Sequence, residues 1–150
     1  AAPPFPGWCG FCILLIDAPR PQTFGTFDGM STGKFCVTIA HAKNDTDLAT
    51  VGFVVANAAV GSAQDTMVFL SSEGVYLAVE GYADEIHEEG FAPLKELIAN
   101  FIAAGGALYV CAPCIKKRGY TEDQLIEGAQ IVGGAKLVEF LADGTPSVSY

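Results

Sequence analysis

The segment ALYVCAPCIKKRGY, residues 107–120, decides the interpretation of the fold, because a strand-like run passes directly into a turn. Residues 107–112 are apolar and read as a strand. Pro113 suits the start of the turn or helix that follows. Cys111 therefore lies at the carboxyl end of a predicted strand, and Cys114 follows in a Cys-x-x-Cys spacing.

The sequence on both sides of this segment alternates between strand-like and helix-like patterns from Lys34 onward. Strands separated by helices indicate crossover connections and a parallel sheet. We therefore predict an α/β fold, a three-layer sandwich with a mainly parallel sheet of about five strands and helices on both faces. Strands are predicted at 34–40, 65–72, 107–112, 130–134 and 146–150, and helices at 45–61, 73–80, 93–106, 121–129 and 134–144, with an acidic loop at 81–92.

The first residues of the chain differ in composition from the rest. Residues 1–29 contain five prolines and no lysine, and their longest apolar run, FCILLI, has six residues. That run is too short for a secretory signal, and no basic region precedes it. We interpret 1–33 as an N-terminal extension of unclear role and 34–150 as the α/β domain.

The overall charge excludes several kinds of partner. Seventeen Asp and Glu against eight Lys and Arg give a net charge of −9, which repels nucleic acid and anionic membranes. No apolar run approaches the roughly 20 residues of a membrane-spanning helix. The five cysteines are an odd count, and Cys-x-x-Cys pairs in a domain of this size favour redox chemistry, metal binding or reactive thiols in a reducing compartment. We expect a cytoplasmic protein.

Candidate functional residues follow the predicted strands. Ligands of open α/β sheets gather beyond the carboxyl ends of the strands, and His41, Glu73 and Cys111 all occupy such positions. His41 has two interpretations, a ligand-orienting group or a histidine satisfied by local hydrogen bonds. Glu73 is either a carboxylate of the site or a cap for the helix that begins at Gly74.

A basic cluster follows the two cysteines. Lys116, Lys117 and Arg118 are three of the eight Lys and Arg of an acidic chain. Adjacent cations and helix N–H groups favour the thiolate form of a cysteine, so we expect one or two of them to lower the pKa of Cys111. The alternative is a buried, inert cysteine beside a solvated basic helix face.

The segment YVCAPCIKKRGY, together with EGVY at residues 73–76, resembles the DsrE/DsrF-like sulfur-relay proteins, which include TusD-type subunits. The resemblance covers about residues 34–150. It implies that Cys111 carries sulfur as a persulfide, and that the chain forms trimers or hexamers and exchanges sulfur with donor and acceptor proteins. Persulfide transfer requires an accessible thiolate, so no metal or other cofactor is expected.

Cys114 departs from the simplest pattern of that family. A second thiol can attack a persulfide on Cys111, release hydrosulfide and leave a disulfide, so Cys114 is interpreted as a resolving or modulating thiol. Three alternatives remain open: a thiol–disulfide oxidoreductase, an oligomeric scaffold without catalysis, and a zinc site that combines this pair with Cys9 and Cys12. Trp8–Cys12 also resembles the thioredoxin motif over a short stretch.

Overall fold

The computed structural model describes residues 33–150. The chain alternates between strands and helices, as the sequence pattern predicts. The elements are β1 (Lys34–Ile39), α1 (Thr46–Gly61), β2 (Asp65–Leu70), α2 (Leu94–Ala103), β3 (Ala107–Cys111), α3 (Ala112–Lys117), β4 (Ala129–Val132), α4 (Gly134–Leu141) and β5 (Ser147–Ser149). Short 3₁₀ segments lie at Ser72–Ala78, Tyr82–Glu85 and Glu122–Gln124.

The five strands form one sheet in the order β4-β3-β2-β1-β5, and every pairing between them is parallel. Successive strands from β1 to β4 move in one direction, and the chain then returns to place β5 on the other side of β1. Because such crossovers are right-handed, a reversal of direction changes the face on which the connecting helix packs. The α/β sandwich predicted from sequence is confirmed.

The two faces of the sheet carry cores of different size. On one face Val37, Val68 and Val110 pack with side chains of α1 and α2 in a large buried cluster. On the other face Cys36 and Met67 belong to a small cluster against which side chains of α4 pack. The strands alternate between these faces, as the period of two requires.

Local sequence features mark the starts of two helices. Asp45 caps α1, because its side chain accepts a hydrogen bond from the backbone N–H of Leu48. Pro93 directly precedes α2, where the missing N–H of proline has no helical partner to lose.

The prediction of a helix at 121–129 is wrong. Only a 3₁₀ turn forms, at Glu122–Gln124, and the chain then pairs with the segment after β2. Leu125 forms an antiparallel bridge with Val79, and the N–H of Ile126 donates to the carbonyl of Ala78 at 2.9 Å. These tertiary hydrogen bonds satisfy backbone groups that a helix would have satisfied internally.

Gly74 allows the segment after β2 to lie against the end of β1. Its N–H donates to the carbonyl of Ala40 at 3.1 Å, and a Cβ built on Gly74 would lie 2.3 Å from the backbone oxygen of Ile39. Only glycine fits this approach without a backbone shift. The glycine therefore places Glu73 and Tyr76 at the carboxyl edge of the sheet.

Candidate active site

The two thiols lie where β3 passes into α3. Cys111 is both the last residue of β3 and the N-cap of α3, and Cys114 lies in the first turn of that helix. Both cysteines are free and partly exposed. The side chain of Cys111 hydrogen-bonds with the side chain and the backbone of Cys114. The buried side chain of Ile115 anchors α3 to the core, so the pair is held at the edge of the sheet.

The expectation of a lowered pKa at Cys111 is wrong. Burial raises the pKa of the Cys111 thiol, and the side-chain hydrogen bond to Cys114 raises it further, while the Cys114 backbone and Arg118 lower it by less. Desolvation disfavours the charged form of any acid, and at this half-buried position it outweighs the single nearby cation. The neutral thiol is therefore the dominant form of Cys111 at neutral pH.

Arg118 is the member of the basic cluster that turns inward. One guanidinium nitrogen, Nη2, lies 2.5 Å from Oε1 of Glu73, and Nη1 donates to the carbonyl of Cys114 at 3.1 Å. The guanidinium also lies 5.3 Å from the ring centroid of Tyr76, within the range of a cation–π contact. Arg118 therefore connects α3 to the segment after β2, and Glu73 serves as its partner rather than as a helix cap.

Lys116 and Lys117 turn outward. Both are exposed, and neither contributes to the shift of the Cys111 pKa. Within residues 33–150 each of the other Lys and Arg forms an ion pair with a carboxylate, whereas these two lysines form none. The predicted cluster thus separates into one inward, paired cation and two outward, unpaired cations.

His41 lies at the same sheet edge but bonds within its own loop. Its Nδ1 is 2.8 Å from Nδ2 of Asn44, whose Oδ1 accepts a hydrogen bond from the N–H of Ala42 at 2.8 Å. These contacts support the interpretation of His41 as a locally satisfied histidine at a strand terminus. The described contacts of its ring do not include Cys111.

A group of tyrosines beside the thiols was not predicted as part of the site. Tyr76 stacks on Tyr82 with 5.1 Å between ring centroids, and Tyr120 meets Tyr76 edge-on at 5.8 Å. Lys43 lies 4.6 Å from the centroid of Tyr82. These aromatic rings lie at the carboxyl edge of the sheet, next to Arg118. The EGVY motif contains Tyr76, but sequence spacing alone does not indicate that its ring packs against those of Tyr82 and Tyr120.

Other features do not join the thiol pair. Cys9 and Cys12, which the zinc alternative requires, lie outside the described residues. Within residues 33–150 no group of three or more His, Cys, Asp or Glu side chains is arranged to hold a metal. Of the two cavities described, one of about 200 Å³ and one of about 290 Å³, neither is lined by Cys111 or Cys114. Neither of these two cavities therefore encloses the thiol pair.

The sequence of the domain matches the model of the DsrE/DsrF-like family over residues 33–148. The chain belongs to the DsrE/DsrF-like family. This family is associated with sulfur relay. The prediction made from the cysteine segment and the EGVY motif is confirmed at the level of the family.

Relatives and solved structures agree with this assignment. The chain is 31% identical over 117 residues to the Methanocaldococcus jannaschii protein MJ0989, an alignment that covers 78% of this chain and 99% of the relative. It is 28% identical over 120 residues to Methanopyrus kandleri MK0008, covering 79% of this chain and 93% of that protein. The names of both relatives assign no activity.

Two proteins of known structure share the fold. The ychN protein of E. coli superposes with a TM-score of 0.66 at 19% identity, covering 78% of this chain and 98% of its own. MTH1491 of Methanobacterium thermoautotrophicum superposes with a TM-score of 0.60 at 13% identity over the same shares of the two chains. At these identities the likeness establishes the fold alone. Among the helices of the described residues, none has the length and apolarity that a membrane crossing requires.

Proposed function

We propose that this protein carries sulfane sulfur as a persulfide on Cys111. The observation that carries the proposal is the placement of Cys111, a free and partly exposed thiol at the end of β3 with a second thiol in hydrogen-bond contact. Membership in a family associated with sulfur relay supports the same chemistry. Sulfur exchange between thiols needs access for an attacking or leaving sulfur in line with the bond that breaks. An open sheet edge offers that access.

Loading is a displacement at sulfur. The thiolate of Cys111 attacks the outer sulfur of thiosulfate, a bond forms between the two sulfurs, and sulfite leaves with the electron pair of the broken S–S bond. Because the neutral thiol dominates at pH 7, loading draws on a minor thiolate population. Arg118 is the described cation that favours this population. Unloading repeats the displacement, with the thiolate of an acceptor attacking the outer sulfur of the Cys111 persulfide.

Cys114 is proposed to resolve or modulate the persulfide. Attack by the Cys114 thiolate on the inner sulfur of the Cys111 persulfide would form the Cys111–Cys114 disulfide and release hydrosulfide. An external dithiol would then have to reduce that disulfide. The hydrogen bond between the two side chains brings the sulfurs into reach, while Pro113 between them restrains the backbone of the loop.

The carrier proposal implies partners. We propose that the chain acts as a cytoplasmic homo-oligomer, a trimer or a hexamer, that receives sulfur from a donor and passes it to an acceptor protein. A scaffold role would leave the thiols without chemistry. The mass measurement described next distinguishes the sulfur carrier from the scaffold.

The test is the mass of the full-length chain after incubation with thiosulfate or a small-molecule persulfide. We expect a gain of about 32 Da on the peptide that contains Cys111, reversed by a reducing dithiol. The variant Cys111→Ser should show no gain on that peptide, and Cys36→Ala should retain it. Absence of any gain in the unsubstituted chain, with its thiols reduced, would overturn the proposal.

A thiol–disulfide oxidoreductase is the second candidate, favoured by the direct contact between Cys111 and Cys114. Its sign would be a stable Cys111–Cys114 disulfide that forms in a glutathione redox buffer and exchanges with a substrate disulfide in the absence of any sulfane sulfur. A pair that stays reduced throughout the glutathione range would exclude this activity.

A further inference from the structure

The two unpaired lysines of α3 call for an explanation different from the one that the sequence suggested. In residues 33–150 the ion pairs join Lys34, Lys43, Lys95, Arg118 and Lys136 to carboxylates. Lys116 and Lys117 remain exposed and unpaired on the helix that begins at the reactive thiol. They do not contribute to the electrostatics of the resting thiol, so a role in keeping Cys111 ionised does not account for them.

The position of Lys117 indicates where the charge acts. Lys117 follows Cys114 by three residues in α3, so the two side chains lie on the same face of the helix, about 5–6 Å apart at their Cβ atoms. The exposed Lys117 side chain is long and flexible, so its charge lies in the solvent on the side of α3 that carries Cys114. The charge is thus available to a molecule that approaches Cys111, rather than to the sulfur of Cys111 itself.

The rest of the protein opposes such an approach by an anion. The net charge is −9, and a field of that sign repels small anions from the surface. Arg118 does not offset this repulsion, since its charge is committed to Glu73 at 2.5 Å. Lys116 and Lys117 are the uncommitted positive charges of the described domain, and they stand beside its exposed thiol pair.

We propose that Lys116 and Lys117 select a small anionic sulfur donor, of the class represented by thiosulfate, by attracting it to Cys111. This inference rests on the proposed sulfur-carrier function and names its substrate class. The lysines act on the encounter between donor and thiol, so they raise the rate for anionic reagents and leave the rate for neutral reagents unchanged. An acidic partner protein is the competing occupant, and it is disfavoured because Lys117 lies within one helical turn of Cys114, the neighbour of the reacting thiol.

The first experiment compares two alkylating reagents that differ only in charge. The rates at which iodoacetate and iodoacetamide modify Cys111 are measured by peptide mass spectrometry in the full-length chain. Their ratio removes any change in thiolate fraction. A charge about 8 Å from the reacting centre changes the rate for a monoanion about twofold in water. The ratio should therefore fall about fourfold in the Lys116→Gln/Lys117→Gln variant at an ionic strength of about 0.01 M, and much less at about 1 M, where the Debye length is about 3 Å.

Two controls make the outcome decisive. Lys95→Gln, which removes an exposed lysine from α2, should leave the ratio unchanged, and an equal fall in that variant would overturn the proposal. The iodoacetamide rate should be the same with and without the two lysines. An unchanged ratio in the double variant at low ionic strength would also overturn it.

The second experiment uses thiosulfate itself. Because thiosulfate is a dianion, its rate of persulfide formation on Cys111 should fall by more than the iodoacetate rate in the double variant, by about fifteenfold at low ionic strength. A thiosulfate rate that is insensitive to the two substitutions would overturn the assignment of substrate class. It would favour an acidic protein as the partner of the two lysines. If no persulfide forms on the unsubstituted chain while the iodoacetate preference persists, the sulfur-carrier proposal fails and the anion selectivity stands.

Discussion

Cys36 and Cys111 contact the same small cluster on one face of the sheet, yet they differ in almost every chemical respect. Cys36 lies within β1, with no exposed surface, and burial raises its pKa to about 11. Cys111 ends β3, is partly exposed, and interacts electrostatically with Cys114 and Arg118. Burial raises the pKa of both thiols, so the two cysteines do not differ in the direction of their pKa shift.

The comparison teaches that access, rather than a stabilised thiolate, distinguishes Cys111, the thiol for which we propose reactivity, from Cys36. A strand interior is sealed by neighbouring strands and by the helices on its faces, whereas the residue at a carboxyl terminus is left open as the chain turns into a helix. The same geometry gives Cys111 a second thiol and two outward lysines, which Cys36 lacks. The proposed reactivity of Cys111 is therefore expected from its position in the topology.

The largest expected effect is the contrast in alkylation between the two thiols in the native chain. Modification of Cys36 requires unfolding, which for a domain with a stability of about 5 kcal/mol occurs in less than about one molecule in a thousand. We expect iodoacetamide at pH 8 to modify Cys111 about a thousandfold faster than Cys36. The measurement is peptide mass spectrometry over time, and equal rates for the two thiols under native conditions would contradict the comparison.

The next effect is a fall in stability at high pH that originates from Cys36. Its pKa is about 11 in the folded state against an ordinary value of 9.0, so between these two pH values the unfolded chain loses a proton that the folded chain keeps. Ionisation thus favours unfolding. The contribution of Cys36 to stability is fully present below pH 9 and is lost as the pH rises toward 11, by about 2 kcal/mol.

Urea denaturation at pH 8 and pH 10.5 measures that change. The variant Cys36→Ala, which cannot ionise at this position, should lose less stability between the two pH values than the unsubstituted chain. If both proteins respond alike, the ionisation of Cys36 is not responsible.

The pH dependence of Cys111 alkylation tests whether the pKa of this partly exposed thiol is raised. Because its pKa lies above the ordinary thiol value, the thiolate fraction should rise about tenfold per pH unit between pH 7 and pH 9. The rate with neutral iodoacetamide should follow that rise without a plateau. A rate that reaches a plateau at or below pH 7 would show that the pKa of Cys111 is lowered, as the sequence suggested, and not raised.

The smallest expected effect concerns the pairing of Arg118 with Glu73. In the variant Glu73→Gln the guanidinium loses its counter-charge, so its attraction for the Cys111 thiolate is no longer offset. We expect alkylation of Cys111 by iodoacetamide at pH 7.5 to become about threefold faster, equal to about half a pKa unit. The matched control Glu85→Gln, which frees Lys43 from a similar but exposed pair, should leave the rate unchanged, and a slower reaction in Glu73→Gln would show that the pair only holds the loop in place.

Much of the fold was predictable from sequence because its signals are local. Apolar runs of strand length, the Asp45 cap and Pro93 depend on neighbours within a few residues, and each lies at or in the element that such a signal favours. The helix predicted at 121–129 was wrong because its competitor is tertiary: Leu125 and Ile126 pair with Val79 and Ala78, which precede them by 46 and 48 residues. A capping-box sequence such as Thr121–Gln124 cannot report that pairing.

The site was predictable in its location but not in its electrostatics. The end of β3 identified Cys111, and the carboxyl edge rule brought Glu73 to the same region. Sequence order cannot tell which of three consecutive cations turns inward, because that depends on the phase of α3 against Glu73 and Tyr76. Nor can it weigh desolvation of the thiol against those charges, since burial is a property of the folded chain.

The most direct test of the central claim, that Cys111 is the sulfur-accepting thiol, is the site-resolved persulfide content of two matched variants after thiosulfate treatment. We expect Cys114→Ser to hold a persulfide on Cys111 at least as abundantly as the unsubstituted chain, because the proposed resolving thiol is absent. Cys111→Ser should hold none on Cys114 or Cys36. A persulfide on Cys114 in Cys111→Ser at the level of the unsubstituted chain would contradict the assignment of Cys111.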